Sequence, residues 1–397
     1  MKIQKLKDIC LTEITDGTHQ TPTYSEYGYI FLSSKNVTTQ KIDWDNVMFI
    51  PEKLHEELYK RVAPQIDDIL LAKNGTTGVA AIVDRDIVFD IYVSLALIRP
   101  NTEIVMPRYL LYAINNPVVK GYFDSSLKGI GVPNLHLKNI RETPIKIYDL
   151  ETQKAIVEKL DKVCELISLR KQQLAKLDEL VKARFVEMFG DPISNPFGFK
   201  VESLQEMLDD NAITYHLDGN HGSDYPRNEE FVESGVSYIS ANCIIDDNVN
   251  LKLAKHLTEE RAAKLRKGIA QDEDVLFAHN ATVGPVAILH TRETKVVLGT
   301  SLTAYRCNKQ RILPFYLKAY MQSEGFVRQY TKDMKQTTRN QVPITAQRKY
   351  LFIVPPLSLQ NQFAAFVERV DQQKQTVQQS LEKLELMKKA LMQEYFG

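Results

Sequence analysis

Two stretches of the chain place apolar residues on alternating four- and three-residue steps, the first after Gln153 and the second after Gln360. Such heptads form one stripe along an α-helix, which needs a partner helix to be buried. The pattern therefore predicts two long helices. The stripe residues that define this coiled-coil prediction are Ile156, Leu160, Val163, Leu174 and Leu177 in the first stretch and Phe363, Val367, Val370, Leu381 and Leu384 in the second.

The segments before these two stretches have a different pattern. Short β-rich runs, such as "DIVFDIYVSLALI" and "TKVVLGTSLTAYRC", alternate with turn residues and with short helical patterns such as "PEKLHEELYKRV". "GDPISNPFGFK", from Gly190, ends the first long helix with glycine and proline. We therefore predict an α+β protein with two mixed domains, 1–150 and 191–357, each followed by a long helical spacer, 151–190 and 358–397.

The two mixed segments resemble each other from beginning to end. "QIDDILLAKNGTTGVAAIV" begins at Gln65 and "QDEDVLFAHNATVGPVAIL" at Gln271, while "DGTH" and "DGNH" begin at Asp16 and Asp218. "GYIFLSSKNV" in the first segment corresponds to "GVSYISANCI" in the second, and "PRYLLYAI" corresponds to "PFYLKAYM". Both long helices end in Phe-Gly. Self-similarity at a long period indicates a repeated architecture. The chain is a tandem duplication in which the loop frame is kept and the loop tip differs.

The duplication also predicts how the spacers are arranged. Each could extend about 55 Å at about 1.5 Å per residue, and the obvious partner of each is the other. If they run antiparallel, the mixed domains lie at opposite ends of a rod, are related by a pseudo-twofold axis and face the same side. Duplex DNA is the commonest ligand with twofold character, so we expect a pair of DNA half-sites.

The composition is that of an ordinary globular protein with more than one domain. A chain of 397 residues is too long for one core, and no apolar run approaches the roughly 18 residues of a membrane span. The start, "MKIQKLKDIC", lacks a signal-peptide core, so we expect a cytoplasmic protein without a membrane partner. The 4 cysteines form no Cys-x-x-Cys, which argues against a disulfide framework or a zinc ribbon. Because 50 basic residues balance 50 acidic ones, any DNA binding must rely on local patches.

No sequence motif supports catalysis by this chain. A Gly-x-x-x-x-Gly-Lys phosphate loop is absent, and "SNPFG" from Ser194 lacks the second proline of the methyltransferase motif that it partly matches. Glu293 and Lys295 have the Glu-x-Lys spacing of many nucleases, but no acidic partner is evident. His19 and His221 lie in the matching Asp-Gly-x-His turns, where a turn or DNA-facing role is favoured over metal binding. We predict no catalytic residue and no metal site.

The tips of the two repeated loops are the strongest binding candidates. Asparagine can pair with adenine through two hydrogen bonds, lysine can reach guanine or phosphate, and threonine can contact a thymine methyl group. A tight hairpin with a solvated polar tip is the alternative, and the loop alone does not decide between the two. The two loops keep the same flanking pattern but differ in their tip residues, which favours a role in reading DNA sequence. The candidates are Lys73, Asn74, Thr76 and Thr77 in the first loop and His279, Asn280 and Thr282 in the second.

Two further groups of polar residues are candidates for DNA contact. Ser34 and Lys35 follow a predicted strand, and Ser240 and Asn242 hold comparable positions in the second repeat. Basic stretches just before each long helix form the other group, and a solvated surface is the alternative for them. Their candidate residues are Lys128, Lys138, Lys335, Arg339 and Asn340.

Taken in order, these segments resemble the specificity subunits of Type I restriction-modification systems over essentially the whole chain. The resemblance rests on the duplicated order of the Asp-Gly-x-His turn, the "FLSS" or "YISA" strand, the "DILLAKNGTTG" or "DVLFAHNATVG" loop, and a glutamine-led helix ending in "EMFGDP" or "QEYFG". No single motif is specific, whereas the duplicated order is. The resemblance implies two target recognition domains, each reading one half of a split asymmetric DNA site, and an antiparallel coiled coil.

The resemblance also implies partners and cofactors. In such systems this subunit has no catalytic site, two modification subunits methylate adenine at N6 with S-adenosylmethionine, and restriction subunits translocate and cleave DNA with ATP. This chain would then bind no cofactor itself, and the exposed sides of its long helices would contact the modification subunits. Two alternatives stay open from the residues alone: a nuclease or methyltransferase in its own right, and a coiled-coil scaffold without DNA contact.

Overall fold

The chain folds into two compact units, each with one mixed α+β domain and part of both long helices. Unit 1 comprises Met1–Lys171 and Gln379–Gly397, and unit 2 comprises Gln172–Gln378. The boundary between the units falls within both long helices, whereas the sequence pattern places boundaries at their ends. The computed structural model describes residues 1–127, 134–334 and 340–397.

The mixed domain of unit 1 is built on short strands and helices. Its strands are β1 (Lys2–Lys5), β2 (Thr15–Asp16), β3 (Tyr29–Leu32), β4 (Met48–Ile50), β5 (Ile69–Ala72), β6 (Ala80–Ile82), β7 (Phe89–Ile91), β8 (Leu95–Ile98) and β9 (Pro144–Ile147). Its helices, with the long helix that follows them, are α1 (Glu52–Tyr59), α2 (Pro107–Ile114), α3 (Pro117–Ser126), α4 (Leu137–Arg141) and α5 (Leu150–Phe189). Proline occupies the first turn of α2 and α3, where it suits the helical backbone and removes no hydrogen bond.

Three sheets organise these strands. An antiparallel sheet has the order β2-β8-β5-β6, and a second sheet has the order β4-β3-β7 with β3 and β7 parallel. The first strand pairs with the last, Lys2 opposite Ile147, so the domain closes where α5 begins. Alternate residues of β5 enter two different cores: Ile69 packs in one and Leu70 in the other. Burial on both faces explains why this strand is continuously apolar.

Unit 2 repeats this plan with more strands. They are β10 (Lys200–Ser203), β11 (Ile213–Asp218), β12 (Phe231–Val232), β13 (Val236–Ile239), β14 (Ile244–Ile245), β15 (Asn248–Val249), β16 (Lys255–Leu257), β17 (Ile269–Ala270), β18 (Val275–Asn280), β19 (Thr282–Ile288), β20 (Val296–Leu298), β21 (Leu302–Cys307) and β22 (Leu351–Val354). Its helices and the second long helix are α6 (Leu204–Asp209), α7 (Glu259–Lys264), α8 (Pro314–Met321), α9 (Glu324–Asp333), α10 (Ile344–Gln347) and α11 (Leu357–Phe396).

The sheets of unit 2 match those of unit 1. A six-stranded sheet has the order β11-β21-β18-β19-β15-β14, and its first four strands correspond to β2-β8-β5-β6. The five-stranded sheet β12-β16-β13-β20-β17 keeps the parallel pair, here β13 and β20. The first and last strands of the unit pair again, Lys200 opposite Val354. The predicted α+β class and the tandem duplication are therefore confirmed.

The two long helices pack antiparallel within each unit. In unit 1, Lys159 of α5 lies near Tyr395 of α11, with Nζ 3.3 Å from the hydroxyl oxygen, and Lys171 lies 3.2 Å from Glu385. Residues later in α5 contact residues earlier in α11, so the two helices run in opposite directions. In unit 2 the rings of Phe185 and Phe363 lie 5.7 Å apart. The ten predicted stripe residues are all buried or half-buried, as a coiled coil requires.

A buried glutamine fixes each long helix to the mixed domain before it. Gln153 accepts a hydrogen bond from the Met106 amide (2.8 Å) and donates to the carbonyls of Ile104 (2.9 Å) and Tyr148 (2.8 Å). Gln360 makes the same three bonds with the equivalent backbone groups of unit 2. The glutamine that leads each helix in the sequence therefore sets the position of the first helical turn.

The repeated phenylalanine at the end of each long helix packs on a mixed domain. Phe189 contacts Tyr316 in unit 2, and Phe396 contacts Tyr109 in unit 1, with ring centroids 4.8 and 5.2 Å apart. Each unit is thus closed by the beginning of one long helix and the end of the other. Among the described residues, no helix is long and apolar enough to span a membrane.

Candidate nucleic-acid interface

The two repeated loops are hairpin tips held out by buried strands. Thr76 and Thr282 are exposed, whereas Asn74, Thr77 and Asn280 are half-buried. The backbone turns at Gly75 in unit 1 (φ +76°) and at Ala281 in unit 2 (φ +64°). Both values lie in the left-handed region, so the chain turns at equivalent positions although only the first tip has glycine there. The strand pairing around the turn differs: β18 and β19 pair up to Asn280 opposite Thr282, whereas β5 and β6 pair only as far as Leu71 opposite Ala80.

A serine joins each hairpin to the second predicted group. In unit 1, Ser94 Oγ accepts a hydrogen bond from the Ser34 amide (3.0 Å), and the Ser94 carbonyl accepts one from the Lys73 amide (2.8 Å). In unit 2, Ser301 makes the equivalent bonds to the amides of Ala241 (2.9 Å) and His279 (2.9 Å). In the sequence these serines are simply part of the runs "DIVFDIYVSLALI" and "TKVVLGTSLTAYRC". Their partners 60 residues away along the chain are visible only in the fold.

Beside these contacts, Lys35 and Asn242 are exposed on the segment that follows β3 or β13, and Ser240 is half-buried. The Ser240 hydroxyl lies 2.7 Å from Asn242 Oδ1, to which it donates a hydrogen bond. These residues therefore lie on the same side of the domain as the hairpin whose backbone the serine holds. The structure brings the first two candidate groups together in both units.

The segment before each long helix also pairs with the hairpin. The Leu135 amide donates to the Lys73 carbonyl (2.9 Å), and the Val342 amide donates to the His279 carbonyl (2.8 Å). The Asn340 carbonyl accepts from the Ala281 amide at 3.0 Å. Asn340 and Lys138 are exposed near these contacts in sequence. The remaining candidates of this group lie outside the described residues: Lys128, Lys335 and Arg339.

The structure places Lys73 behind the loop tip, which corrects the expectation that its side chain projects from it. Lys73 is buried, and its Nζ donates to Asp16 Oδ2 at 2.5 Å. Asp16 also lies 3.4 Å from an Arg61 nitrogen and 3.3 Å from His19 Nε2. A buried ammonium needs a carboxylate partner, and the Asp-Gly-x-His turn supplies it. The turn and the loop, noted separately in the sequence, form one cluster.

His279, at the position equivalent to Lys73, is also buried rather than projecting from the tip. Its Nδ1 lies 3.0 Å from the Val342 carbonyl, and burial lowers the pKa of the ring, which favours the neutral imidazole. Asp218 instead faces the exposed His221, with Nε2 2.8 Å from a carboxylate oxygen. The loop tip of unit 1 is therefore supported by the Lys73–Asp16 ion pair, and that of unit 2 by the neutral imidazole of His279.

The glycine of each Asp-Gly-x-His turn is required by close backbone packing. A Cβ at Gly17 would lie 1.8 Å from the Ile91 carbonyl oxygen, and one at Gly219 would lie 2.3 Å from the Gly299 backbone. Such approaches are possible only without a side chain. The repeated glycine is the sequence signal that marks this turn as a packed element rather than a loose surface loop.

An arginine–aspartate pair supports the base of each hairpin. Arg99 donates two hydrogen bonds to Asp68 (2.8 and 2.7 Å), and Arg306 donates two to Asp274 (both 2.8 Å). The aspartates are buried and also accept from the backbone at the start of each repeated phrase. Bidentate geometry makes these pairs rigid. The aspartates aligned in the sequence therefore support the loop and do not face its ligand side.

The Glu-x-Lys triplet has local bonding partners. Glu293 accepts hydrogen bonds from the Ser237 hydroxyl (2.6 Å) and amide (3.2 Å), and Lys295 donates to the Ala262 carbonyl. Both side chains thus join neighbouring strands and helices of unit 2. Across the described parts of the chain, no group of three or more His, Cys, Asp or Glu residues is arranged to hold a metal ion.

Curated proteins of similar sequence share one description. The chain is 23% identical over 341 residues to a putative type I restriction enzyme MjaX specificity subunit of Methanocaldococcus jannaschii, covering 81% of this chain and 75% of that protein. It is 25% identical over 158 residues to the type I restriction enzyme EcoBI specificity subunit of Escherichia coli, covering 39% of this chain and 33% of that protein.

Solved structures and a family model agree with this likeness. A Type-I restriction-modification system S subunit from M. genitalium has a TM-score of 0.58 at 13% identity, covering 100% of this chain and 96% of that one. A chain from work on complex assembly and conformational transition of the type I R-M system has a TM-score of 0.56 at 18% identity, with coverage of 100% and 97%. The family model described as the Type I restriction modification DNA specificity domain matches residues 1–179 and 217–386. The duplicated fold thus carries the same domain twice, and the chain belongs to the Type I restriction modification DNA specificity family.

Proposed function

We propose that the chain directs a Type I restriction-modification complex to a bipartite asymmetric DNA site, with each unit reading one half. One observation carries this proposal: in both units, three segments distant in sequence meet at one exposed polar hairpin tip. The tips turn at equivalent positions and differ in their side chains. Two equivalent hairpins with different tip side chains are suited to read two different halves of a DNA site.

The half-buried asparagines and the exposed threonines of the tips have side chains suited to read base edges. The Asn74 and Asn280 amides can each form two hydrogen bonds with adenine in the major groove, and the Thr76 and Thr282 methyl groups can contact thymine. Lys35, at the neighbouring segment of unit 1, is exposed and can neutralise a phosphate. The tips would supply sequence discrimination, and the surrounding basic residues would supply affinity that decreases with salt.

Catalysis and cofactor binding are assigned to partner subunits. Modification subunits would use S-adenosylmethionine to methylate adenine, and restriction subunits would use ATP to translocate and cleave DNA. The long helices would supply the docking surface, because large apolar side chains on them remain exposed although the coiled-coil stripe is buried or half-buried. These exposed residues are Leu150, Leu166, Leu169, Leu180, Val186, Leu386 and Met387.

Mapping adenine methylation across a host genome tests the proposal directly. The host would express a partner modification subunit with this chain, without it, or with the Asn74→Ala or Asn280→Ala variant. We expect a split motif with a fixed gap only when the chain is present. Each variant should relax one half of that motif and leave the other half unchanged.

Unchanged methylation in the presence of a demonstrably active modification subunit would contradict the proposal. That result would favour a coiled-coil scaffold that organises proteins without reading DNA. Modification by the purified chain alone would instead contradict the assignment of catalysis to its partners.

A further inference from the structure

A connected group of polar side chains is buried behind the hairpin of unit 2. Gln347 is fully buried, and its Oε1 accepts a hydrogen bond from the Tyr305 hydroxyl (2.6 Å) and lies 3.1 Å from His216 Nε2. Its Nε2 donates to Thr303 Oγ1 (3.2 Å) and to the Val342 carbonyl (3.4 Å). The single amide therefore joins two strands of the sheet to the segment before α11.

This group reaches the hairpin through one residue. Val342 receives the Gln347 bond at its carbonyl, and the same carbonyl lies 3.0 Å from His279 Nδ1. The Val342 amide donates to the His279 carbonyl at 2.8 Å. Asn280, the next residue along the chain, pairs with Gln341. Gln347 is thus linked to the candidate base-reading tip by a short series of direct contacts.

Unit 1 fills the same positions with apolar side chains. The residues that correspond to His216, Thr303, Tyr305 and Gln347 are all buried in the core of unit 1. They are Ile14, Ala96, Ile98 and Ile140. An apolar core therefore suffices for this fold, so the polar group of unit 2 is not required to build the domain.

The polar group also contains uncompensated atoms. His216 Nδ1 and His279 Nε2 are buried and have no hydrogen-bond partner within the described part of the chain. Burying polar atoms without partners opposes folding, whereas an apolar set of similar size would not. The arrangement therefore costs stability, and it surrounds Val342, one of the residues that contact the hairpin.

We propose that Gln347 is a positioning residue for recognition by unit 2. Through Val342 and His279 it sets the orientation of Asn280 and Thr282, and it gives unit 2 a dependence on side-chain hydrogen bonds that unit 1 lacks. The inference rests on the proposed function, because it concerns how one half of the DNA site is read.

The test compares Gln347→Met with Ile140→Met, the substitution at the equivalent position of unit 1. The probes are duplexes carrying the motif found by methylation mapping, with either half scrambled. The half read by unit 2 is the one that Asn280→Ala relaxes. Discrimination at that half should fall about tenfold in Gln347→Met, comparable with the loss of one good base contact. Discrimination at the other half should not change, and Ile140→Met should alter neither.

Two further variants separate positioning from a general loss of folding. Tyr305→Phe removes one hydroxyl but keeps the Gln347–Val342 bond, so it should retain discrimination at both halves. The combined variant His216→Ile, Thr303→Ala, Tyr305→Phe and Gln347→Ile replaces the whole polar group with residues like those of unit 1. Removing these four side chains together eliminates the unpaired His216 Nδ1 and leaves none of their polar atoms without a partner, so the variant should fold at least as stably and still lose discrimination at the half read by unit 2.

The outcomes distinguish failure of the proposed function from failure of the positioning role of Gln347. If methylation mapping yields no split motif that depends on this chain, the proposed function fails. If the motif exists but the combined variant folds and reads both halves as the parent does, only the positioning role of Gln347 is overturned. Equal losses at both halves in Gln347→Met would also overturn it.

Discussion

At the scale of single residues, the informative side chains are those whose partners lie elsewhere in the chain. Asp16 lies in a short turn, yet it contacts Lys73 from the hairpin and Arg61 from the turn after α1. Gly17 beside it permits a backbone approach that no other residue allows. The turn therefore packs against the back of the hairpin, and disrupting it should lower the stability of unit 1.

Asp16→Asn should strongly destabilise unit 1. The substitution leaves the Lys73 ammonium buried without a carboxylate, which costs about 3–5 kcal/mol in comparable buried pairs. The chain has 1 tryptophan, Trp44, which lies in unit 1, so its fluorescence during urea unfolding reports that unit. Adding Lys73→Met to Asp16→Asn should recover most of the loss. Asp45→Asn, an exposed carboxylate in the same unit, should change stability by less than about 0.5 kcal/mol.

Gly17→Ala and Gly121→Ala should have opposite effects. At Gly17 the new methyl group would lie 1.8 Å from the Ile91 oxygen, so the backbone must shift, with a loss of at least about 1–3 kcal/mol. At Gly121, within α3, nothing lies within 4 Å of the new Cβ, and alanine should stabilise the helix by about 0.5–1 kcal/mol. Trp44 fluorescence during thermal unfolding measures the stability change caused by each substitution. A neutral Gly17→Ala would contradict the packed turn.

At the scale of elements, the two units build equivalent sheets around different interiors. In unit 1 the strands and α4 meet through isoleucine and alanine, whereas in unit 2 they meet through the Gln347 group. The surrounding strand order is the same, because backbone pairing and apolar packing of the common core set it. Local interior chemistry can therefore diverge without changing the topology, and it should give the units different sensitivities to acid.

Unit 2 should lose stability as the pH falls from about 6.5 toward 4. Burial lowers the pKa of His216 to about 4 and lowers that of His279, whereas an unfolded histidine titrates near 6.5. Between these values the unfolded chain binds more protons, so acid favours unfolding, and the stabilisation is fully present only above about 6.5. Circular dichroism detects both units, and Trp44 fluorescence detects unit 1. The free energy of unfolding obtained from the circular-dichroism transition of unit 2 should therefore be lower at pH 5 than at pH 7.

His216→Ile, which installs the unit 1 residue, provides the control for this effect. It should reduce the pH dependence of unit 2 and leave the Trp44 transition unchanged. A parallel loss of both transitions in the parent chain, or an undiminished pH dependence in the variant, would contradict the assignment to buried histidines.

At the scale of the whole molecule, the duplication lets one fold support two recognition surfaces. Each unit takes the beginning of one long helix and the end of the other, so neither mixed domain is completed by its own repeat alone. Gln153 and Gln360 fix the helix starts, and Phe189 and Phe396 complete the opposite ends. Each mixed domain should therefore be replaceable where those contacts are kept.

Replacing residues 1–150 with the equivalent segment of a relative should change one half of the recognised DNA site only. Gln153 and Phe396 remain in the chimaera, so a relative that keeps tyrosine at the position of Tyr109 should preserve the packing on the long helices. Genome-wide adenine methylation with the same modification subunit would show the result. A change in both halves, or in neither, would argue against one half-site per unit.

The sequence by itself determined the architecture. Heptad spacing predicted the two long helices, α5 and α11, continuous apolar runs predicted the strands at β5 and β18, and the aligned phrases established the duplication. The family resemblance followed from the same order and is confirmed. These features are readable because helix and strand periodicity is a local property: neighbouring residues alone decide which faces of an element are apolar.

Only the tertiary structure decided which polar side chains face outward. Lys73 and His279 were expected at the loop tips, but a carboxylate from a distant turn and a carbonyl from a distant segment hold them inside. Ser94 and Gln347 gave no local signal, because their partners lie tens of residues away. The direction of a polar side chain depends on whether the fold brings it a partner, and that is set by contacts between segments that the sequence does not place side by side.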